Sequence, residues 1–191
     1  MSASPSKTEL RDQMRKARAA RDAGWVAATS RRIADRVTAL PEFKRASVIG
    51  CFLSLPGEVD TRPILEAAWK AGKKVAMPAR RDDGEYMPAW YSPDEPMTRE
   101  AFGLLQPLNP HWAKPDRFDL MLIPGVAFAR NGARLGHGRG YYDRMLARLA
   151  GRLDCRVGIC FTAEVLPEIP VSETDVGMDA VVTEEALYRA S

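Results

Sequence analysis

Two short apolar runs enclose an amphipathic stretch between Ser47 and Met77, and this pattern leaves the chain few folds to choose from. Ser47-Val-Ile-Gly-Cys-Phe-Leu53 reads as a buried strand. Asp60 and Thr61 then stand as capping residues before Ile64, Leu65, Ala68 and Trp69, which share one helical face, and Gly72 can end that helix in a left-handed conformation. Lys73-Lys-Val-Ala-Met77 follows as a second strand, with Pro78 expected to stop it. Strand, helix and strand within about thirty residues make a parallel crossover unit, whose connection is expected to be right-handed.

The rest of the chain repeats the theme. Phe118–Ile123 and Cys155–Phe161 read as buried strands, and Ala180–Val182 as a last short one. Tyr142, Met145, Leu146 and Leu149 form one stripe of a helix that begins at Tyr141. Near the N-terminus, Ser6 followed by Glu9 has the capping-box pattern and opens a helix over 7–21. Val26, Thr29, Ile33, Val37 and Leu40 mark a second helix over 25–40. Residues 80–117, rich in Pro and polar residues, predict a hairpin and a long loop. The fold class is α/β: a single domain over 1–191, with a mainly parallel sheet and an N-terminal helical arm.

Charge and cysteine usage narrow the partners. The net charge of +3 is too small to imply a nucleic-acid partner, but it is unevenly placed: residues 1–45 hold 11 Lys and Arg against 5 Asp and Glu. A basic arm over a slightly acidic body suits a phosphate-bearing ligand, or is simply a solvated helix surface. No apolar run approaches the ~20 residues of a membrane helix. The Ser- and Arg-containing N-terminus is interrupted by Glu9 and Asp12, which argues against a transit peptide. Cys51, Cys155 and Cys160 are odd in number and include no close pair, so a reducing compartment is expected.

Beyond the strand at 118–123 the chain runs through Pro124-Gly125 to Arg134-Leu-Gly-His-Gly-Arg-Gly-Tyr-Tyr-Asp143, and a helix begins at once. Ligands of open parallel sheets gather outside the carboxyl ends of strands, where this loop lies. Glycines at 136, 138 and 140 let backbone amides turn inward, and the helix N-terminus adds free donors and a positive dipole end. With Arg134, His137 and Arg139 the loop suits a polyphosphate, the alternative being a structural glycine turn. It is neither a P-loop nor a dinucleotide fingerprint. Asp143 in the first helical turn is a dipole partner or a Mg²⁺ ligand. Lys7 and Arg11 lie one turn apart on one face of the first helix. Glu58, just past a strand end, is either a surface residue or an acceptor for a donor-rich ring such as a pterin. Asp175 and Asp179 form an acidic loop, and either can supply a second metal ligand.

Taken together, Lys7–Arg11, Phe52–Glu58, Phe102–Pro107, Asp119–Gly125, Arg134–Asp143, Thr174-Asp175 and Met178-Asp179 resemble the 5-formyltetrahydrofolate cyclo-ligase family, in family order and over nearly the whole chain. The resemblance implies a three-layer α/β/α fold. It implies ATP held by Lys7, Arg11 and the loop residues Arg134, Leu135, Gly136, His137, Gly138, Arg139, Gly140, Tyr141 and Tyr142. It implies folate contacts from Leu53, Glu58 and residues 137–141, with Mg²⁺ on Asp143 and Asp175. The middle of the loop, often Gly in bacterial members, is Arg139 here.

The implied reaction converts 5-formyltetrahydrofolate and ATP to 5,10-methenyltetrahydrofolate, ADP and phosphate. The formyl oxygen is phosphorylated, and N10 closes the ring. Arg134, His137, Arg139 and Tyr141 are the expected catalytic set. The expected partners are small molecules only, with no nucleic acid and no membrane, for a cytoplasmic monomer. Two rival functions are a sugar-phosphate isomerase and a folate- or nucleotide-binding regulator without turnover.

Overall fold

The computed structural model of the protein describes residues 5–100 and 103–190, so Phe102 lies outside the described residues. Its helices are α1 (Lys7–Ala19), α2 (Ala23–Ala39), α3 (Pro41–Arg45), α4 (Arg62–Lys70) and α5 (Tyr141–Arg148). The strands begin with β1 (Val48–Gly50), β2 (Lys74–Arg80), β3 (Tyr86–Trp90), β4 (Met97–Arg99), β5 (Leu105–Pro107) and β6 (Leu120–Ile123). They continue with β7 (Ala127–Ala129), β8 (Arg134–Leu135), β9 (Arg156–Ile159), β10 (Val165–Leu166), β11 (Ala180–Val182) and β12 (Leu187–Arg189).

Seven of these strands make one sheet in the order β12-β11-β9-β6-β1-β2-β3. The five inner strands run parallel, and β12 and β3 close the two edges antiparallel. Alternation along the strands sorts side chains into two layers. Leu120 and Leu122 join Ile33, Val37, Ile64 and Leu65 from α2 and α4 on one face. Met121 and Ile123 meet Met145, Leu146 and Leu149 on the other, beneath α5. The three-layer α/β/α architecture therefore follows, with α2 and α4 covering one face of the sheet and α5 the other.

The strand order reverses at β1, which has β2 on one side and β6 on the other. Such a switch point opens a crevice at the carboxyl ends of the strands.

Three local expectations need correction. Pro78 does not stop β2, which continues to Arg80. β1 already ends opposite Ala76, so Pro78 has no neighbour on that side to deprive of an N–H; on the other side it faces Pro88. The strand expected at 47–53 is only three residues long, and Cys51–Leu53 leave the ladder as loop. Thr61 stands at the N-cap of α4 without capping it, because its hydroxyl donates to the Phe52 carbonyl at 2.6 Å. Asp60 accepts from the Arg62 N–H instead, at 3.1 Å.

The arm has its own footing. The capping box of Ser6 and Glu9 is formed, and Leu10 and Met14 are buried on the inner face of α1. They pack on Ala127, Ala129 and Leu135 of a second, three-stranded sheet (β10-β7-β8) rather than on the main one. Burying two such side chains stabilises this docking by about 1.5–3 kcal/mol each.

Candidate active site

A cleft of about 1000 Å³ opens at the switch point. Three walls meet in it: the segment after β1, the glycine loop leading into α5, and the first three turns of α1. Lys7, Arg11, Leu53, Glu58, residues 134–143 and Asp175 all line it. Asp179 does not. It receives Arg156 through Nη2 at 2.6 Å and the Arg156 N–H at 2.7 Å, which pins β9 to β11.

At the loop end the backbone does most of the shaping. Gly138 (φ +96°) and Gly140 (φ +65°) hold left-handed conformations that favour glycine. A Cβ on Gly138 would come within 3.3 Å of the Arg11 guanidinium, whose Nε donates to the Gly136 carbonyl at 2.8 Å. Gly140 is the N-cap of α5 and offers no side chain, so the first N–H groups of that helix keep their donors for a ligand. Tyr141 packs tilted against Tyr86, with ring centroids 4.7 Å apart and planes 51° from parallel, and Arg144 covers its ring. Tyr142 packs against the apolar layer beneath, and burial pushes its hydroxyl well above the ordinary tyrosine value.

Arg134 differs from the expectation of an open cation. Its side chain is only 4% exposed, and its Nη2 donates to Asp143 at 2.6 Å. Its charge is matched by Asp143, so it orients that carboxylate from below, while its buried Nε has no hydrogen-bond partner. Arg139, by contrast, is exposed, and its carbonyl accepts from Arg144.

Asp143 Oδ1 also accepts from the Val176 N–H at 3.2 Å, which draws the 172–176 segment to the loop. Asp175 is paired with Lys7 and accepts from the Ser172 N–H. Burial works to raise the Asp175 carboxyl, but Lys7 and Ser172 hold it below its ordinary value. Among the described residues no cluster of three His, Cys, Asp or Glu side chains could cage a metal ion unaided. Two carboxylates, each with one oxygen engaged by the protein, still fit Mg²⁺, which takes one or two carboxylates together with phosphate oxygens and waters.

The Glu58 end is built from side chains. The 52–61 loop folds on itself: Ser54 Oγ donates to the Val59 carbonyl at 2.6 Å, and Glu58 Oε2 accepts from the Leu55 N–H at 3.0 Å. Glu58 Oε1 then accepts from Arg18 Nη1 at 2.9 Å and lies 3.3 Å from His137 Nε2. Burial tends to raise the Glu58 carboxyl, yet His137, Arg18 and the Leu55 N–H together hold it below its ordinary value. Arg18 and its second partner, Glu164, were missed in the sequence. An arginine in a basic helix reads as solvated, and only the place of Glu164 just past the end of β9 matches that of Glu58 past β1.

The model of the 5-formyltetrahydrofolate cyclo-ligase family matches residues 3–184. The chain belongs to this family. The cyclo-ligase of Escherichia coli K12 is 32% identical over 160 residues, covering 82% of this chain and 88% of that protein. That of Saccharomyces cerevisiae is 30% identical over 200 residues, covering 93% and 94%. The NMR structure of Aquifex aeolicus 5,10-methenyltetrahydrofolate synthetase superimposes with a TM-score of 0.81 at 29% identity, covering 96% of this chain and 92% of that one. The cyclo-ligase resemblance of the motifs is thus matched by the whole sequence and by the fold.

Proposed function

We propose that this cyclo-ligase family member converts 5-formyltetrahydrofolate and ATP to 5,10-methenyltetrahydrofolate, ADP and phosphate. One observation carries the reading: a single cleft joins a glycine loop and helix N-terminus, suited to polyphosphate, to a buried carboxylate suited to a pterin. The formyl oxygen attacks the γ-phosphorus of ATP and ADP leaves. N10 then bonds to the formyl carbon, the N10 proton is released, and phosphate departs with the former formyl oxygen. Transfer of this kind needs alignment and charge stabilisation more than a strong base.

The chain's own residues divide that work. Lys7 and Arg11 close the nucleotide from the α1 side, and the first N–H groups of α5 meet its phosphates. Arg139, at the loop tip, faces the developing charge. Tyr141, packed against Tyr86, bounds the slot between the two substrates. Glu58 accepts from the pterin ring, Leu53 packs beside it, and His137 takes the N10 proton. Asp143 and Asp175 would hold Mg²⁺, which supplies charge neutralisation on the phosphates. Three unpaired cysteines accord with a cytoplasmic setting. No described helix is long and apolar enough to cross a membrane. We propose action as a monomer on small molecules alone.

Incubation with 5-formyltetrahydrofolate and Mg-ATP, followed by methenyl absorbance, tests the reading. Absorbance should grow only when both substrates are present. Intact nucleotide binding with no absorbance in any condition would leave a binding regulator. Turnover of a sugar phosphate without ATP would leave an isomerase.

A further inference from the structure

Behind Glu58, on the side away from the cleft, lies a buried charge network that no part of the proposed reaction uses. Arg18, from the last turns of α1, gives each arm of its guanidinium a separate acceptor. Nε donates to Glu164 Oε1 at 2.6 Å, Nη1 to Glu58 Oε1 at 2.9 Å, and Nη2 to the Gly125 carbonyl at the end of β6. The side chains of Arg18, Glu58 and Glu164 are 11%, 7% and 1% exposed. Glu164 is itself fully engaged, since Oε1 also accepts from Arg21 Nη1 at 2.9 Å and Oε2 from the Phe161 N–H at 3.1 Å. Glu58 lines the cleft, whereas Arg18 and Glu164 do not.

We propose that Arg18 is a positioning residue for folate recognition, fixing the ionised Glu58 carboxylate from behind while its cleft-facing lone pairs stay available. The proposal rests on Glu58 being the pterin acceptor. A carboxylate has about four acceptor sites. Arg18 and the Leu55 N–H fill the rear of the two oxygens, and both donors are rigid: one is backbone, the other a guanidinium locked at three points. The third partner, His137, approaches from the cleft at 3.3 Å, and its side chain is 51% exposed. Its contact marks the cleft side of Glu58, from which the ring N–H donors of a pterin would come. Without Arg18, the carboxylate would lose both its counter-charge and its fixed rotamer in a site where burial opposes ionisation.

Arg18 also belongs to the arm, so a general loosening of α1 must be separated from an effect on Glu58. Arg21 supplies the control, because it donates to Glu164 and to the Gly57 carbonyl but not to the Glu58 carboxylate. Steady-state kinetics would be measured for Arg18→Gln, Arg18→Lys, Arg21→Gln, Glu58→Gln and the Arg18→Gln/Glu58→Gln pair.

The expected result is a rise of about tenfold or more in KM for 5-formyltetrahydrofolate in both Arg18 variants, with KM for ATP within about twofold. The double variant should be no worse than Glu58→Gln alone, since the two residues act through one contact. Arg21→Gln should shift neither KM selectively. Should Arg18→Gln lack a cooperative melt, Arg18→Lys, which keeps the charge but not the three-point fork, decides the matter. An unchanged folate KM in the Arg18 variants, an equal rise in both KM values, multiplicative losses in the pair, or a folate-selective loss in Arg21→Gln would each overturn the proposal while Glu58→Gln still impairs folate use. A normal folate KM in Glu58→Gln would instead overturn the reading of Glu58 itself.

Discussion

The two ends of the cleft are built on opposite principles. At the loop end, glycines and a helix terminus present backbone donors, and His137 and Arg139 are exposed. At the Glu58 end, four charged side chains are packed together almost dry, each answered by another. A polyphosphate carries several charges and keeps much of its hydration, so an open rim of donors serves it. A pterin ring is nearly flat and neutral, and selecting it needs one carboxylate fixed in direction. On the proposed reading, this difference is how one cleft would serve a mobile anion and a rigid heterocycle, giving backbone to the first and buried charge to the second.

The largest expected effect is on stability, at the buried end. Glu164→Gln leaves the Arg18 and Arg21 guanidiniums without their shared carboxylate and should lower unfolding free energy by about 3–5 kcal/mol, read from urea denaturation. A loss well under 1 kcal/mol would mean that water reaches this network and that the contrast between the two ends is false. Next comes Asp143→Asn at the loop end. With the oxygen that faces Arg134 altered, kcat at saturating Mg-ATP should fall by about a hundredfold while folate binding, followed by tryptophan fluorescence, holds. Equal loss of both would remove its metal role.

Acid titration sharpens the same contrast. The folded Glu58 carboxyl lies below its unfolded value of about 4.5, so the unfolded chain binds the proton more readily. Its contribution to stability is therefore fully present above that unfolded value, and is lost as pH falls through the folded one. Glu58→Gln should flatten the acid limb of stability against pH; an unchanged limb would mean that the carboxylate is not held as described. The smallest effect is expected at Glu85, a carboxylate held by Arg144 on the surface near the loop. Glu85→Gln should leave the denaturation midpoint within error, because solvent already screens that pair.

Much of this was legible in order along the chain. The parallel core was read from its apolar runs, and the loop end from the contiguous segment 134–143, because backbone-built sites must be written in consecutive residues. The small sheet of β7, β8 and β10 was not, since its strands of two or three residues show no period. Nor was the network behind Glu58. Arg18, Gly125 and Glu164 come from segments whose charges look solvated one at a time, and only the docking of α1 through Leu10 and Met14 brings them together. The same packing explains why Arg134 ends beneath the loop: on β8 it alternates with Leu135, which enters that small core, so Arg134 faces the other way, toward Asp143 and the Tyr142 ring.

Helix α1 carries Lys7 and Arg11 in the wall of the cleft and Arg18 behind Glu58, over about 16 Å of rise. It is a single lever that meets the cleft directly at one end and through Glu58 at the other. On the proposed reading, any free energy that a nucleotide put into settling this lever would be free energy the folate no longer had to supply, and the gain would be the same whichever ligand arrived first. With both substrates bound as proposed, they would be linked by geometry before any chemistry begins, and the joint between them would be this helix.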